Sequence, residues 1–190
     1  ILVSVAPVLR MTGAFYIHPI TAFIIALLGL LMLYYGILLH KKQTNIEYTT
    51  TDLLSPLADV KADICDLPFE DNSYDIIFCN HVLEHIPDDT KAMKELYRVL
   101  KPGGMAILQI PQDLNRATTF SDDTITDEKE RAAIFGQYDH VRVYGRDYFN
   151  KLRSIGFKVD EIDYTKKIAP KKLERYCLMK NEILPVCYKK

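Results

Sequence analysis

Two short runs hold most of the side chains able to do chemistry. Asn80, His81, Glu84 and His85 follow one apolar stretch, and Tyr138, His140, Arg142 and Tyr144 crowd together further along the chain. An imidazole titrates near neutral pH, so His140, with the Tyr138 phenol close by in sequence, is the expected catalytic pair. It would serve as a base where an acceptor hydroxyl or ammonium group must lose its proton. Arg142 can pair with a carboxylate or phosphate, and with Tyr144 and His85 it makes up the expected substrate-binding set. An equal reading has His140 and Arg142 tie their own segment to the rest of the domain by hydrogen bonds. His81 and His85 stand four residues apart and share a face on a helical turn. A metal on that pair needs a third ligand, which the sequence does not indicate, so no metal is expected. Glu84 reads as a structural or surface side chain rather than a base.

The elements that position these residues are legible in the hydrophobic pattern. Tyr74 to Cys79 is a short apolar run without alternation, as in a parallel strand covered on both faces. Asp88, Asp89 and Thr90 offer caps to a helix in which Met93, Leu96, Val99 and Leu100 form one buried stripe. Pro102, Gly103 and Gly104 should stop that helix, and Met105 to Ile110 resumes as a second apolar strand. Strand, crossover helix and parallel strand make a right-handed βαβ unit. The fold class is therefore α/β with a Rossmann-like, mostly parallel sheet, and ligands belong beyond the carboxyl ends of its strands. That directs attention to Asn80 to Ile86 and to the residues after Pro111.

Downstream, the long polar stretch from Gln112 to Tyr148 reads as a cap on the acceptor side, with a helix over Thr126 to Phe135. A helix from Arg146 to Ile155 follows, ended by Gly156. Phe157 to Tyr164 and Glu182 to Tyr188 then read as strands, the last returning antiparallel to close the sheet.

The 190 residues, 48% hydrophobic and with a formal charge of -1, suit one globular domain and carry no general attraction for nucleic acid. Residues 1–42 contain Arg10, Lys41 and Lys42 but no acid, whereas the remainder carries 21 basic against 25 acidic side chains. A boundary is expected near Gln43, between a hydrophobic segment 1–42 and a domain 43–190. Ile20 to Leu39 is twenty residues without a charge, which at about 1.5 Å each spans the roughly 30 Å core of a bilayer. It is expected to be a transmembrane helix, and His40, Lys41 and Lys42 at its end put the following domain in the cytoplasm. Two other readings stay open. In one, the segment is the first crossover of the sheet, with Ile1 to Ala6 as first strand and Ile46 to Thr51 as second, although it lacks a polar face. In the other, the N-terminus is not native and the domain is simply cytoplasmic. The four cysteines show no CxxC pair and no zinc spacing, which suits a reduced compartment.

The segment LPFEDNSYDIIFCNHVLEHI, followed by a helix and LKPGGMAIL, resembles the class I S-adenosylmethionine-dependent methyltransferases of the small-molecule type 11 kind. The resemblance extends from about Asn45 to the C-terminus. It implies that Asp52 chelates the cofactor ribose, although Asp52 also reads as a cap ahead of Leu53 and Leu54. It further implies that Asp63 accepts from the adenine amine with the Ile64 backbone beside the ring, and that Asn80 and His81 contact the methionine portion. The family's glycine-rich loop, which lets backbone approach the cofactor, has no counterpart: GxGxG is absent, and Val5, Ala6 and Pro7 only faintly echo its first strand. Without that strand the sheet would be incomplete, with an edge open beside Ile46 to Thr51. Two functions follow. One is a membrane-tethered methyltransferase using S-adenosylmethionine on a small-molecule or lipid-like acceptor. The other is a catalytically inactive methyltransferase-like domain serving as a membrane-anchored interaction module.

Overall fold

A computed structural model of the chain describes residues 2–4, 46–176, 178 and 182–190. Seven of its strands form one sheet: β1 (Leu2–Ser4), β2 (Thr49–Asp52), β3 (Val60–Lys61), β4 (Tyr74–Cys79), β5 (Leu100–Ile107), β8 (Lys158–Ile162) and β9 (Leu184–Tyr188). They lie in the order β3-β2-β1-β4-β5-β9-β8. β1 to β5 run parallel, and β9 runs antiparallel to both neighbours, β5 and β8. The expected mostly parallel sheet with an antiparallel C-terminal strand is therefore present.

The expectation of an incomplete sheet needs correction. Leu2, Val3 and Ser4 pair with Thr49, Thr50 and Thr51 on one side and with Ile77, Phe78 and Cys79 on the other. The edge expected beside β2 is thus filled, and the sheet draws on both sides of the boundary expected near Gln43. The proposed transmembrane helix 20–39 and the Val5-Ala6-Pro7 echo lie outside the described residues. Among the described residues no helix is long and apolar enough to cross a membrane.

β4 falls on the run expected for it, and its Ile77 and Cys79 are fully buried. The helix α1 (Asp89–Val99) follows, capped by the Asp88 carboxylate, which accepts from the Lys91 amide at 2.9 Å. Ala92, Met93, Leu96 and Val99 form its buried face, as their spacing requires. α1 ends at Val99, before the Pro-Gly-Gly expected to stop it. Those residues lie instead inside β5, where the pairing jumps from Tyr74–Leu100 to Ile76–Met105. Lys101 to Gly104 form a bulge there, and Gly103 takes φ +77°, the left-handed region that glycine enters freely.

The cap is built from a two-stranded antiparallel pair, β6 (Phe120–Ser121) and β7 (Arg142–Val143), with the helix α2 (Glu128–Phe135) between them. α2 starts two residues later than its expected span, where the Asp127 side chain accepts from the amides of Lys129 and Glu130. The helix α3 (Tyr148–Ile155) buries Tyr148, Phe149 and Leu152 in the main core, and a short helix α4 (Pro170–Arg175) precedes β9.

Candidate active site

The sheet order reverses direction at β1: the chain proceeds outward through β2 and β3 on one side and through β4 and β5 on the other. A crevice beyond the carboxyl ends of β1 and β4 is where sheets of this kind take ligands. Asp52 ends β2 and Asn80 follows β4, one on each side of β1, so two strand spacings of roughly 4.8 Å separate their strands.

Along this edge the side chains present acceptors. Asp52 Oδ1 accepts from the amides of Leu54 and Ser55 at 2.8 and 2.7 Å, which makes it the cap of the following turn. Its Oδ2 takes no hydrogen bond among the described residues. The Asp52 carbonyl accepts from the Ala62 amide at 3.2 Å, which joins the ends of β2 and β3. Asp63 is exposed, with Oδ1 accepting from the Cys65 amide at 2.8 Å, and Ile64 beside it is buried. Asn80 is exposed. His81 has φ +55°, uncommon for a residue with a Cβ and costing about 1–3 kcal/mol where it occurs. Its amide donates to the Gln109 carbonyl at 2.8 Å, which holds the strained turn against the end of β5.

Behind His81 a 3-10 turn (Leu83–His85) carries Glu84 into the protein. Glu84 is 2% exposed; its Oε1 lies 3.5 Å from His81 Nδ1 and 3.9 Å from His85 Nε2, and its Oε2 has no hydrogen-bond partner among the described residues. The carboxylate raises the pKa of His81, whose imidazole is half exposed. His140 arrives from the cap and sets its ring edge-to-face on His85 at 4.7 Å. Its Nδ1 lies 3.2 Å from the Phe135 carbonyl, and burial lowers its pKa, which favours the neutral ring. The Val141 amide donates to the Glu84 carbonyl at 3.0 Å, so main chain as well as side chains hold the two segments together.

Arg142 and Tyr144, expected to contact an acceptor, are buried in a second cluster around Asp89. The Arg142 guanidinium donates to the carbonyls of Leu83, Ile86 and Pro87 at 2.6 to 3.1 Å and stands 3.2 Å from Asp89 Oδ2. The Tyr144 hydroxyl donates to Asp89 Oδ2 at 2.6 Å, and Lys151 Nζ reaches the same oxygen at 2.6 Å. Burial and the neighbouring carboxylate push the Tyr144 pKa well up, so the phenol stays a donor. These contacts correspond to the reading in which this segment ties the cap to the domain. Tyr138, by contrast, is 37% exposed on the turn after α2.

The structure thus gathers His81, His85 and His140 around Glu84, and Arg142 and Tyr144 around Asp89, while Asp52 and Asp63 stand along the sheet edge. Glu84, Asp89, Asp139 and Lys151 were not among the expected site residues. Glu84 had one signal in sequence: a carboxylate enclosed by Val82, Leu83 and Ile86 needs a polar reason to be there.

The sheet order, with its switch point at β1, defines a doubly wound α/β domain with a methyltransferase-like fold. Residues 26–108 match the family described as a methyltransferase domain. Over those residues the chain is similar to the class I S-adenosylmethionine-dependent methyltransferases. The demethylmenaquinone methyltransferase of Staphylococcus carnosus (strain TM300) is 47% identical over 72 residues, which cover 38% of this chain and 30% of that protein. That of Staphylococcus aureus (strain JH9) is 50% identical over 48 residues, 25% of this chain and 20% of its own length. The matched stretch spans less than a third of either relative. Among solved structures, a Bacillus halodurans C-125 protein assigned provisionally as a methyltransferase superposes with a TM-score of 0.50 at 18% identity, over 76% of this chain and 83% of its own. The [4+2]-cyclase SpnF does so at 0.50 and 15% identity, over 80% and 70%. Both likenesses concern the fold alone, and a fold shared with a cyclase does not by itself specify a reaction.

Proposed function

We propose that this protein transfers a methyl group from S-adenosylmethionine to a small-molecule or lipid-like acceptor. The observation that carries this reading is the row of acceptor groups at the carboxyl ends of β2, β3 and β4: Asp52, Asp63 and Asn80 flank the switch point. The cofactor is cationic and bears hydroxyls and amines, all of them donors or positive charges, so an acceptor-rich edge suits it. In this reading Asp52 Oδ2, which takes no hydrogen bond among the described residues, accepts from the ribose, Asp63 accepts from the adenine amine with Ile64 beside the ring, and Asn80 and His81 line the methionine end. When bound, the cofactor supplies a methyl carbon already activated by positive sulfur. The protein's contribution is then alignment and exclusion of water, and positioning of this kind is worth roughly 7–11 kcal/mol. The names of the Staphylococcus relatives favour an apolar, quinone-like acceptor.

Calorimetric titration of the full chain with S-adenosylmethionine and with S-adenosylhomocysteine tests the reading. Saturable binding is expected, weakened about 10- to 100-fold by Asp63→Ala or Asp52→Asn, the loss of one hydrogen bond to a charged group. No binding at millimolar ligand would reject it. That result would favour a methyltransferase-like interaction module, which draws support from the sequence: the first glycine after β1 is Gly13 and no GxGxG follows.

A further inference from the structure

We infer that Glu84, His85 and His140 form a binding site for a first-row divalent transition ion, with Zn²⁺ the best match to the donors. One ligand atom from each of the three lies within 4.8 Å of the other two. Four observations point to an ion rather than to a satisfied cluster of polar side chains.

Glu84 is nearly fully buried and one of its oxygens has no partner among the described residues, an arrangement that is costly for a carboxylate unless a cation or donor meets it. Its other oxygen faces two imidazole nitrogens at 3.5 and 3.9 Å, longer than normal hydrogen bonds, so those rings do not satisfy it well. The Nδ1 of each prospective histidine ligand also faces an acceptor away from Glu84: His140 Nδ1 lies 3.2 Å from the Phe135 carbonyl, and His85 Nδ1 stands 3.5 Å from Asp139 Oδ2, an ion-pair distance. A carboxylate or backbone carbonyl on the distal nitrogen is the usual outer support of a metal-bound histidine, since it leaves Nε2 with its lone pair free. Lastly, His85 is partly exposed, which gives an ion and a water a route to an otherwise buried set.

Two histidines and one carboxylate are a known zinc donor set that leaves a fourth position open. At bond lengths of about 2.1 Å the donors around a tetrahedral ion stand about 3.4 Å apart, so a set within 4.8 Å must contract by up to about 1.4 Å, within reach of side-chain rotation. His81 is not part of the set: His85 is joined instead by its neighbour Glu84 and by His140 from the cap, 55 residues after His85. The ion would pin the cap to the turn after β4, and its open position would take a water or an oxygen atom of a ligand.

The test uses the full chain stripped of metal by a chelator and titrated with Zn²⁺ by calorimetry and with Co²⁺ by visible absorption. One equivalent should bind, and Co²⁺ should show the intense d–d bands of a four-coordinate site without thiolate charge transfer. His85→Ala, on a partly exposed side chain, should weaken Zn²⁺ binding at least 10-fold while circular dichroism stays native. Asp139→Asn, acting through His85, should weaken it about 10-fold or more. Substoichiometric binding, thiolate charge transfer to Co²⁺, or unchanged affinity in a folded His85→Ala protein would each overturn the assignment. The readout is independent of cofactor binding, so failure here and failure of the methyltransferase reading are separate results.

Discussion

Tyr144 donates its hydroxyl to Asp89 at 2.6 Å, joining the end of β7 to the first turn of α1 across 55 residues of chain. Both groups are buried, and Arg142 and Lys151 complete the shell around the carboxylate. This cluster fastens the end of β7 to the first turn of α1.

Tyr144→Phe removes one donor from a buried carboxylate and should destabilise the protein by about 1–3 kcal/mol. Arg142→Ala also strips three backbone carbonyls of their donor and leaves Asp89 less compensated, so its cost should be larger, about 3–5 kcal/mol. Urea unfolding of the two variants checks the order; equal midpoints would contradict it.

Acid should weaken the attachment of the 67–71 loop to α1. The Glu95 carboxylate accepts from Arg98 Nε at 2.9 Å and Nη2 at 2.8 Å and from the Leu67 amide at 2.9 Å, and these bonds, chiefly Arg98, hold its pKa below the ordinary 4.5. A carboxyl with a folded pKa below its unfolded one adds stability above the unfolded value. That stability fades as pH falls below 4.5 and is gone once the lowered folded value is passed. Glu95→Gln should therefore flatten the acid limb of the unfolding midpoint measured against pH, with the wild type the steeper of the two.

Gly145 lies so close to Thr118 that an added Cβ would stand 2.6 to 3.0 Å from three backbone atoms. Backbone cannot swing aside as a flexible side-chain end can, so Gly145→Ala should push β6 from β7 at a cost of about 1–3 kcal/mol. Limited proteolysis in the cap should quicken, while a substitution at Gly136, where an added Cβ meets no atom within 4 Å, should act through its φ of +90° alone.

Removal of residues 1–42 takes β1 from the centre of the sheet and leaves β2 and β4 with unpaired inner edges. A 43–190 fragment should accordingly lose cooperative unfolding and expose apolar surface, measured by dye binding and thermal melts. A fragment as stable as the full chain would show that β1 contributes nothing to the sheet.

What the sequence by itself determined about this protein lies where local pattern and local partner coincide. The run Tyr74 to Cys79 became β4 without a shift, because Ile76 to Cys79 are apolar without alternation, as suits a strand paired on both sides, and Ile77 and Cys79 are fully buried. Asp88 capped α1, and Met93, Leu96 and Val99 met the core, because cap and stripe are matters of three or four residues. The Pro-Gly-Gly stop was read less well: a glycine with positive φ serves a helix end and a strand bulge alike, and only pairing with Tyr74 and Ile76 decided between them. Three residues of β1 carry no periodicity, and their place came from partners on both sides that arrive 47 and 75 residues later. Glu84 likewise reads as an ordinary charge until Val141 and His140 return to cover it. Tertiary structure alone decided which buried charges meet, because the partners that make such a charge tolerable come from parts of the chain that sequence spacing does not relate.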